Sequence, residues 1–358
     1  MKNNDNYKVI GLMSGTSLDG LDIAYCEFTR EDGRWSFILQ KAETIEYQRE
    51  LHEKLQSGTE LSGLELTALD VQLALWMGKG VNTFIRKHDL SPDLIASHGH
   101  TIFHQPERGI TLQIGKGSTL AAVTGLPVVF DFRSLDVALG GQGAPLVPIG
   151  DQLLFHKYDF CLNLGGIVNI SYESGGVRYA LDICPGNMPL NYLAAKEGMP
   201  YDAGGDMARS GRLIPDLLRE LNALKYYSLS GPKSLGYEWV RAEVLSLLES
   251  NSSPVVDLMY TIVEHISYQI AQLISQTGRT GRLLITGGGA FNNYLIERMK
   301  AYLPANIVVE VPSAEIISYK EAIIFAFLGV LRLRSEVNCL SSVTGAMRDN
   351  CGGTLIVI

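Results

Sequence analysis

One supersecondary pattern occurs twice in this chain and restricts its fold more than any other feature. Tyr7 to Gly15 reads as an apolar strand, Thr16 to Gly20 as a polar turn, and Leu21 to Phe28 as a second strand, with Trp35 to Tyr47 a third. About 150 residues later the pattern returns. Tyr158 to Leu164 is apolar, Gly165 and Gly166 turn, Ile167 to Tyr172 is apolar, Ser174 to Gly176 turn, and Val177 to Ile183 forms a third strand. Each copy is an antiparallel meander, so the chain is expected to carry a duplicated strand, glycine turn, strand unit. Two unrelated meanders would give the same outline, because no residue-level identity joins the copies.

Helices and further strands surround both meanders. The first is followed by a helical stretch from Leu61 to His88 and by strands at Leu94 to Ser97 and Val128 to Phe132. The second is followed by helices at Met188 to Lys196, Leu213 to Leu224 and Val255 to Thr277. Strand Leu283 to Thr286, helix Asn292 to Leu303, strand Ile307 to Val311 and helix Tyr319 to Arg334 come next. This mixture is the α/β class. With 358 residues and ~100–200 per domain, two lobes are expected. Their boundaries are placed at 1–135 plus 316–358 for the first and 136–315 for the second. No stretch rich in proline and serine separates them, so a shared boundary is expected rather than a tether.

Composition then removes several function classes. Thirty basic against 38 acidic side chains leave a net charge of −8, with no run of Lys or Arg to face phosphates, so a nucleic-acid partner is not expected. Cys26, Cys161, Cys184, Cys339 and Cys351 are odd in number, scattered and without a Cys-x-x-Cys pair, which points to reduced thiols. No stretch approaches ~18–20 uncharged apolar residues and the first residues lack a signal-peptide pattern, so a cytoplasmic protein without a membrane partner is expected. The 37 glycines are more than the usual ~7%. Their positions need an explanation.

Several of them cluster at three polar turns. Gly11-Leu-Met-Ser-Gly-Thr-Ser-Leu-Asp-Gly20 places Gly15, Thr16, Ser17, Leu18, Asp19 and Gly20 between two strands, with Asp22 just beyond. Glycine lets the backbone approach a ligand, successive amides and hydroxyls donate to phosphate oxygens, and Asp19 is positioned to hold Mg²⁺ directly or through water. Neither the Walker pattern nor Gly-x-Gly-x-x-Gly is present, and a plain hairpin remains the alternative. Asn163-Leu-Gly-Gly-Ile-Val-Asn169 supplies the equivalent turn of the second meander. Thr286-Gly-Gly-Gly-Ala-Phe-Asn292 joins a strand to a helix, where Gly287, Gly288 and Gly289 would let a purine lie against the backbone and Asn292 opens a helix with free amides. Together these turns resemble the phosphate-one, phosphate-two and adenosine turns of the actin-like ATPase superfamily, which includes sugar kinases. That resemblance implies a ribonuclease H-like fold in two similar mixed-sheet lobes, with ATP in the cleft between them.

The remaining polar segments make the resemblance specific. Gly11 to Asp22, Ser97-His-Gly-His-Thr101, Gln113-Ile-Gly115, Asp131-Phe-Arg133, Gly140-Gly-Gln-Gly-Ala-Pro-Leu-Val-Pro148, Asp182-Ile-Cys-Pro-Gly-Asn187 and Gly231-Pro-Lys-Ser234 follow one another as in anhydro-N-acetylmuramic acid kinases. The chain resembles that family from Val9 to about Gly345. The resemblance implies conversion of 1,6-anhydro-N-acetylmuramic acid, ATP and water into N-acetylmuramic acid 6-phosphate and ADP, in recycling of cell-wall sugar. It further implies Mg²⁺, a small sugar as partner and a homodimer. Cys184 stands where the family commonly has Gly, and His100 where Gln is usual. Both departures bear on the substrate, so a kinase of another anhydro or amino sugar is the first alternative. A non-catalytic nucleotide-binding regulator is the second.

The reaction needs a carboxylate to take a proton from water, a poor nucleophile by itself. Asp182, expected at the end of a strand, matches the family's general base; a helix cap is the alternative. Glu321 resembles the family's second acidic residue, and the start of an apolar helix also suits it as a first-turn charge. Resemblance assigns Gly15 to Gly20, Asp22, Gly165, Gly166, Asn169, Gly287 to Gly289 and Asn292 to the nucleotide. It assigns Ser97, His98, Gly99, Thr101, Gln113, Asp131, Arg133 and Asn187 to the sugar, with Gly140, Gly141 and Gly143 nearby. Arg133 suits a lactyl carboxylate in a bidentate fork, or a salt bridge with Asp131 or Asp136. His98, His100 and His104 have metal-ligand spacing, although polar packing or sugar binding suits one strand edge better. Cys184 reads as a small packed thiol.

Overall fold

Val9, Ile10 and Leu12 are fully buried on one strand, as are Phe160 and Leu162 on another. Near-continuous burial of this kind marks a strand covered on both faces. These two strands are the centres of two sheets. The computed structural model describes residues 5–15, 18–229 and 233–358. It divides into two compact units, Met1–Phe155 with Tyr319–Ile358, and His156–Ser318.

The chain begins with β1 (Asn6–Ser14), β2 (Leu21–Glu31), β3 (Arg34–Ile45), α1 (Arg49–Gln56) and α2 (Gly63–His88). It continues with β4 (Leu94–Gln105), β5 (Ile110–Ile114), α3 (Gly117–Thr124), β6 (Val128–Phe130), α4 (Ser134–Ala138) and α5 (Val147–Leu154). The second unit holds β7 (Phe160–Leu164), β8 (Ile167–Ser174), β9 (Val177–Pro185), α6 (Asn187–Lys196), α7 (Asp206–Ser210), α8 (Pro215–Asn222), α9 (Tyr237–Trp239) and α10 (Ser246–Ser250). It ends with α11 (Val255–Gln276), β10 (Gly281–Thr286), α12 (Asn293–Tyr302) and β11 (Ile307–Glu310). Then α13 (Ala314–Leu333) leads to α14 (Ser341–Thr344) and β12 (Thr354–Ile356). No helix among the described residues is long and apolar enough to cross a membrane.

The sheets share one topology. In the first, the order is β12-β6-β4-β1-β2-β3, with β5 added on β4. In the second it is β11-β10-β7-β8-β9. In both, the first three strands form an antiparallel meander, and the next two add in parallel beside the first strand. The expected α/β duplication is therefore present in strand order and direction, the order of a ribonuclease H-like sheet.

Two local features matter for chemistry. A Cβ on Gly11 would lie 1.9 Å from the carbonyl oxygen of Ala322, so the missing side chain lets α13 lie directly on β1. In the second meander the pairing shifts between Val168 and Asn169, so that Cys184 faces Val168 and Asp182 faces Asn169. Ile183 is the extra residue of a bulge, a device that re-aims neighbouring side chains.

Candidate active site

In the first unit, the turn after β1 leads to Asp22 at the start of β2. Thr16 and Ser17 lie outside the described residues. The Thr44 hydroxyl donates to Asp22 Oδ1 at 2.6 Å and sits 3.3 Å from the Tyr319 hydroxyl. Burial raises the Asp22 carboxyl, the negative charge of Asp19 adds to that, and the Thr44 bond opposes it. Gly20 has a packing role: a Cβ there would lie 2.6 Å from the Ile45 carbonyl oxygen. Glu321 is not a first-turn residue, because α13 begins at Ala314 and continues through it. The helix dipole therefore does not explain this carboxylate. Its residue surface is exposed, yet loss of water around the carboxyl raises it; Arg133 and Lys320 lower it and Asp22 raises it.

Arg133 pairs with neither Asp131 nor Asp136. Its Nε and Nη2 donate to Nε2 of His98 at 3.0 and 2.8 Å, and Nη1 donates to the Gly143 carbonyl at 2.6 Å. His98 can accept both bonds because its Nδ1 donates to the Gly99 carbonyl at 2.9 Å, which fixes the tautomer. Burial and the adjacent guanidinium hold this imidazole well below its ordinary pKa, so it is neutral. Burial lowers Arg133 to about 10, so it stays charged. Asp131 instead accepts from the Ser134 amide and hydroxyl at the start of α4. Asp136, fully buried, accepts from the Gly143 amide, Thr344, Asn350 and the Cys339 thiol, which ties the Gly140–Gly143 loop to the C-terminal segment. Sequence reading gave Asp136 only as an ion-pair alternative, since three of its four partners lie about 200 residues away.

The other predicted sugar residues divide. Gln113 Nε2 donates across the β4–β5 pair to Thr101 and along its own strand to Thr111. Ser97 is completely buried and its hydroxyl has no partner among the described residues, so it belongs to the interior. Gly99 is needed for packing, as a Cβ would lie 2.4 Å from the Ile114 carbonyl oxygen. The three histidines part ways: His98 meets Arg133, His100 Nδ1 lies 2.8 Å from the Ser14 hydroxyl, and His104 Nδ1 lies 3.1 Å from Thr111. Ser14 and Tyr47, absent from the sequence reading, bond each other at 2.5 Å.

In the second unit, Asp182 lies within β9 and caps no helix: α6 starts after Gly186, without a side-chain cap. Its Oδ2 accepts from the Leu235 amide at 2.8 Å, while its own amide donates to the Lys233 carbonyl and its carbonyl accepts from Tyr226. No described residue bonds Oδ1. Burial raises this carboxyl, against the effect of the Leu235 bond. Tyr226, Lys233 and Leu235 thus bracket Asp182, while Gly231 and Pro232 of the motif lie outside the described residues. Cys184 is fully buried in the core, as its packed-thiol reading requires, and burial pushes its thiol up.

The two glycine turns of this unit come together around Asn187. Its amide donates to the Gly165 carbonyl, the Gly186 amide to the Gly166 carbonyl, and its Nδ2 to the Leu164 carbonyl. Gly287 and Gly289 serve packing: a Cβ on them would lie 2.5 Å from Asn163 Oδ1 and 2.7 Å from Leu164 Cβ. Gly288 alone of the three is exposed, with nothing closer than Asn187 Nδ2 at 3.6 Å to a built Cβ. Asn292 is committed to capping α12, accepting from the Leu295 amide at 2.9 Å. Asn169 faces Asp182 across the bulge.

Comparison with known proteins identifies the family. The family profile described as anhydro-N-acetylmuramic acid kinase matches residues 7–357. The protein of that name from Shewanella putrefaciens is 35% identical over 362 residues, covering 96% of this chain and 97% of its own. Its namesake from Shewanella oneidensis is 36% identical, covering 95% and 96%. That from Saccharophagus degradans is 34% identical, with 95% and 96% covered. This chain belongs to the anhydro-N-acetylmuramic acid kinase family.

Proposed function

We propose that this chain phosphorylates 1,6-anhydro-N-acetylmuramic acid with ATP while water opens the anhydro bridge. Water oxygen bonds to C1, the C1–O6 bond breaks, and O6 takes the γ-phosphoryl group, giving N-acetylmuramic acid 6-phosphate and ADP. Family membership supplies the reaction class, a sugar kinase that uses ATP. The observation that carries the mechanism is Asp182: a half-buried carboxylate on a bulge, with one oxygen fixed by the Leu235 amide and the other without a protein partner among the described residues. That free oxygen takes the proton of the attacking water. Glu321 assists with the water, and the Arg133 fork, fixed by neutral His98, pairs with the lactyl carboxylate.

Family resemblance assigns Gly15 to Gly20, and likewise Gly165, Gly166 and Gly288, to nucleotide binding. Asp19 and Asp22 fit Mg²⁺: the charge of one raises the other, a repulsion that a divalent cation relieves. Among the described residues no three His, Cys, Asp or Glu side chains form a metal cage. Mg²⁺ is commonly held by one or two carboxylates together with substrate phosphates. When bound, Mg²⁺ neutralises charge on the transferring phosphoryl group. The reading includes a cytoplasmic setting in cell-wall sugar recycling and a homodimer, both on family resemblance.

Sugar-dependent ADP release tests this directly. Asp182→Asn should abolish turnover while nucleotide affinity stays within a few-fold; near-normal turnover rejects Asp182 as the base.

A further inference from the structure

The first unit contains a pocket of about 420 Å³ whose lining includes one residue, Thr101, that family resemblance assigns to the sugar. Leu18, Leu55 and Ile102 form its apolar lining, and His52, Gln56, Thr59, His100 and Thr101 its polar one. No Asp, Glu, Lys or Arg lines it, so it offers hydrogen bonds and apolar contact but no charge. Its size is in the range of small-ligand sites.

His100 gives the pocket its direction. Only 3% exposed, it lies beside the pocket with Nδ1 engaged by Ser14, and no described residue bonds Nε2. Burial lowers the imidazole to about 4, so it is neutral, and raises the Tyr47 phenol to about 12, so that hydroxyl keeps its proton. The Ser14 hydroxyl bridges the Tyr47 hydroxyl and Nδ1; with the phenol donating to Ser14, Ser14 donates to Nδ1. The tautomer left is Nε2–H, a donor. The ring of Tyr47 is set by Trp76, with centroids 4.9 Å apart.

We infer that this pocket takes the acetamido group of the sugar, with His100 Nε2–H donating to the amide carbonyl and the methyl against Leu55 and Ile102, making His100 a specificity-determining residue. The inference rests on the sugar-kinase reading. An acetamide is the uncharged, half-apolar substituent that this lining matches, whereas the lactyl carboxylate is matched by Arg133. A site built to bond a substrate group rejects the analogue that lacks it, because its buried donor is then left unpaired.

The test compares 1,6-anhydro-N-acetylmuramic acid with the analogue carrying a hydroxyl in place of the acetamide at C2. His100→Leu should raise KM for the acetamido sugar about tenfold while changing that for the hydroxyl analogue less than twofold. His100→Gln, which keeps a donor, should recover most of the loss, and Tyr47→Phe should weaken selectivity without removing it. Equal losses for both sugars, or no change, overturn the inference. A readout independent of turnover and of variant folding is saturation transfer from wild-type protein to the free sugar without ATP. The acetamido methyl should receive more than the lactyl methyl, and the reverse order overturns the inference even for active enzyme. Absence of turnover on both sugars would instead reject the kinase reading, leaving the methyl comparison to decide the subsite.

Discussion

Nε2 of His98 accepts two hydrogen bonds from one guanidinium, those of Arg133 Nε and Nη2, at 3.0 and 2.8 Å. With Nη1 on the Gly143 carbonyl, the fork is oriented before any ligand arrives. Lysine has neither the planar fork nor the reach to satisfy both partners. Arg133→Lys should therefore raise KM for the lactyl sugar by about ten- to a hundredfold with a smaller change in kcat. Steady-state kinetics checks this; an unchanged KM removes Arg133 from carboxylate recognition.

Asp182 must be ionised to act as a base, and burial raises its carboxyl above the ordinary 3.8. A raised pKa leaves less of the active form at a given acidic pH. The acid limb of kcat should therefore have its midpoint above that of a free aspartate, with turnover recovering as pH rises toward 7. A pH–rate profile that is flat down to pH 4 contradicts the assignment.

Much of the fold was legible because both meanders alternate glycine turns with buried apolar strands, and those patterns are local. Helix α13 shows where local reading stops. Its first residues, Ala314 to Ser318, follow Pro312 and carry only the adjacent pair Ile316 and Ile317, so the expected start fell at Tyr319 and Glu321 was placed in a first turn that it does not occupy. The residue identities of the candidate site were legible, but their partners were not. His98 with Arg133, Asp182 with Leu235, and Ser14 with His100 are pairs 35, 53 and 86 residues apart. Glycine counts also misdirected in part: Gly20, Gly99, Gly287 and Gly289 are required by close packing, not by ligand approach alone.

Lys320 and Asp151 form an ion pair at 2.7 Å, with side chains 7% and 4% exposed. Breaking a buried ion pair by removing one partner costs about 3–5 kcal/mol. Lys320→Met should lower the unfolding free energy by that order in urea titrations, and Lys320→Met with Asp151→Leu should recover much of it. A loss below ~1 kcal/mol for the single variant would show that the charge finds water or another partner.

His265, buried in the second unit, bonds Tyr227 through Nε2 and Asn222 through Nδ1, and burial pulls it down to about 3. The folded form binds no proton there between pH 6.5 and 3, whereas the unfolded chain does. This contribution is present above the unfolded pKa and is lost as pH falls, at up to ~1.4 kcal/mol per pH unit. His265→Gln should flatten the pH dependence of the unfolding free energy between pH 6.5 and 5 by about one proton. Identical slopes in the two proteins contradict this.

The coupling of ring opening to phosphorylation is tested most directly by running the reaction with 1,6-anhydro-N-acetylmuramic acid, ATP and Mg²⁺ in ¹⁸O-water and locating the label in the product by mass spectrometry. Label at C1, with the phosphoryl group on an O6 retained from the sugar, is the predicted result. A phosphorylated product without label at C1 would contradict it.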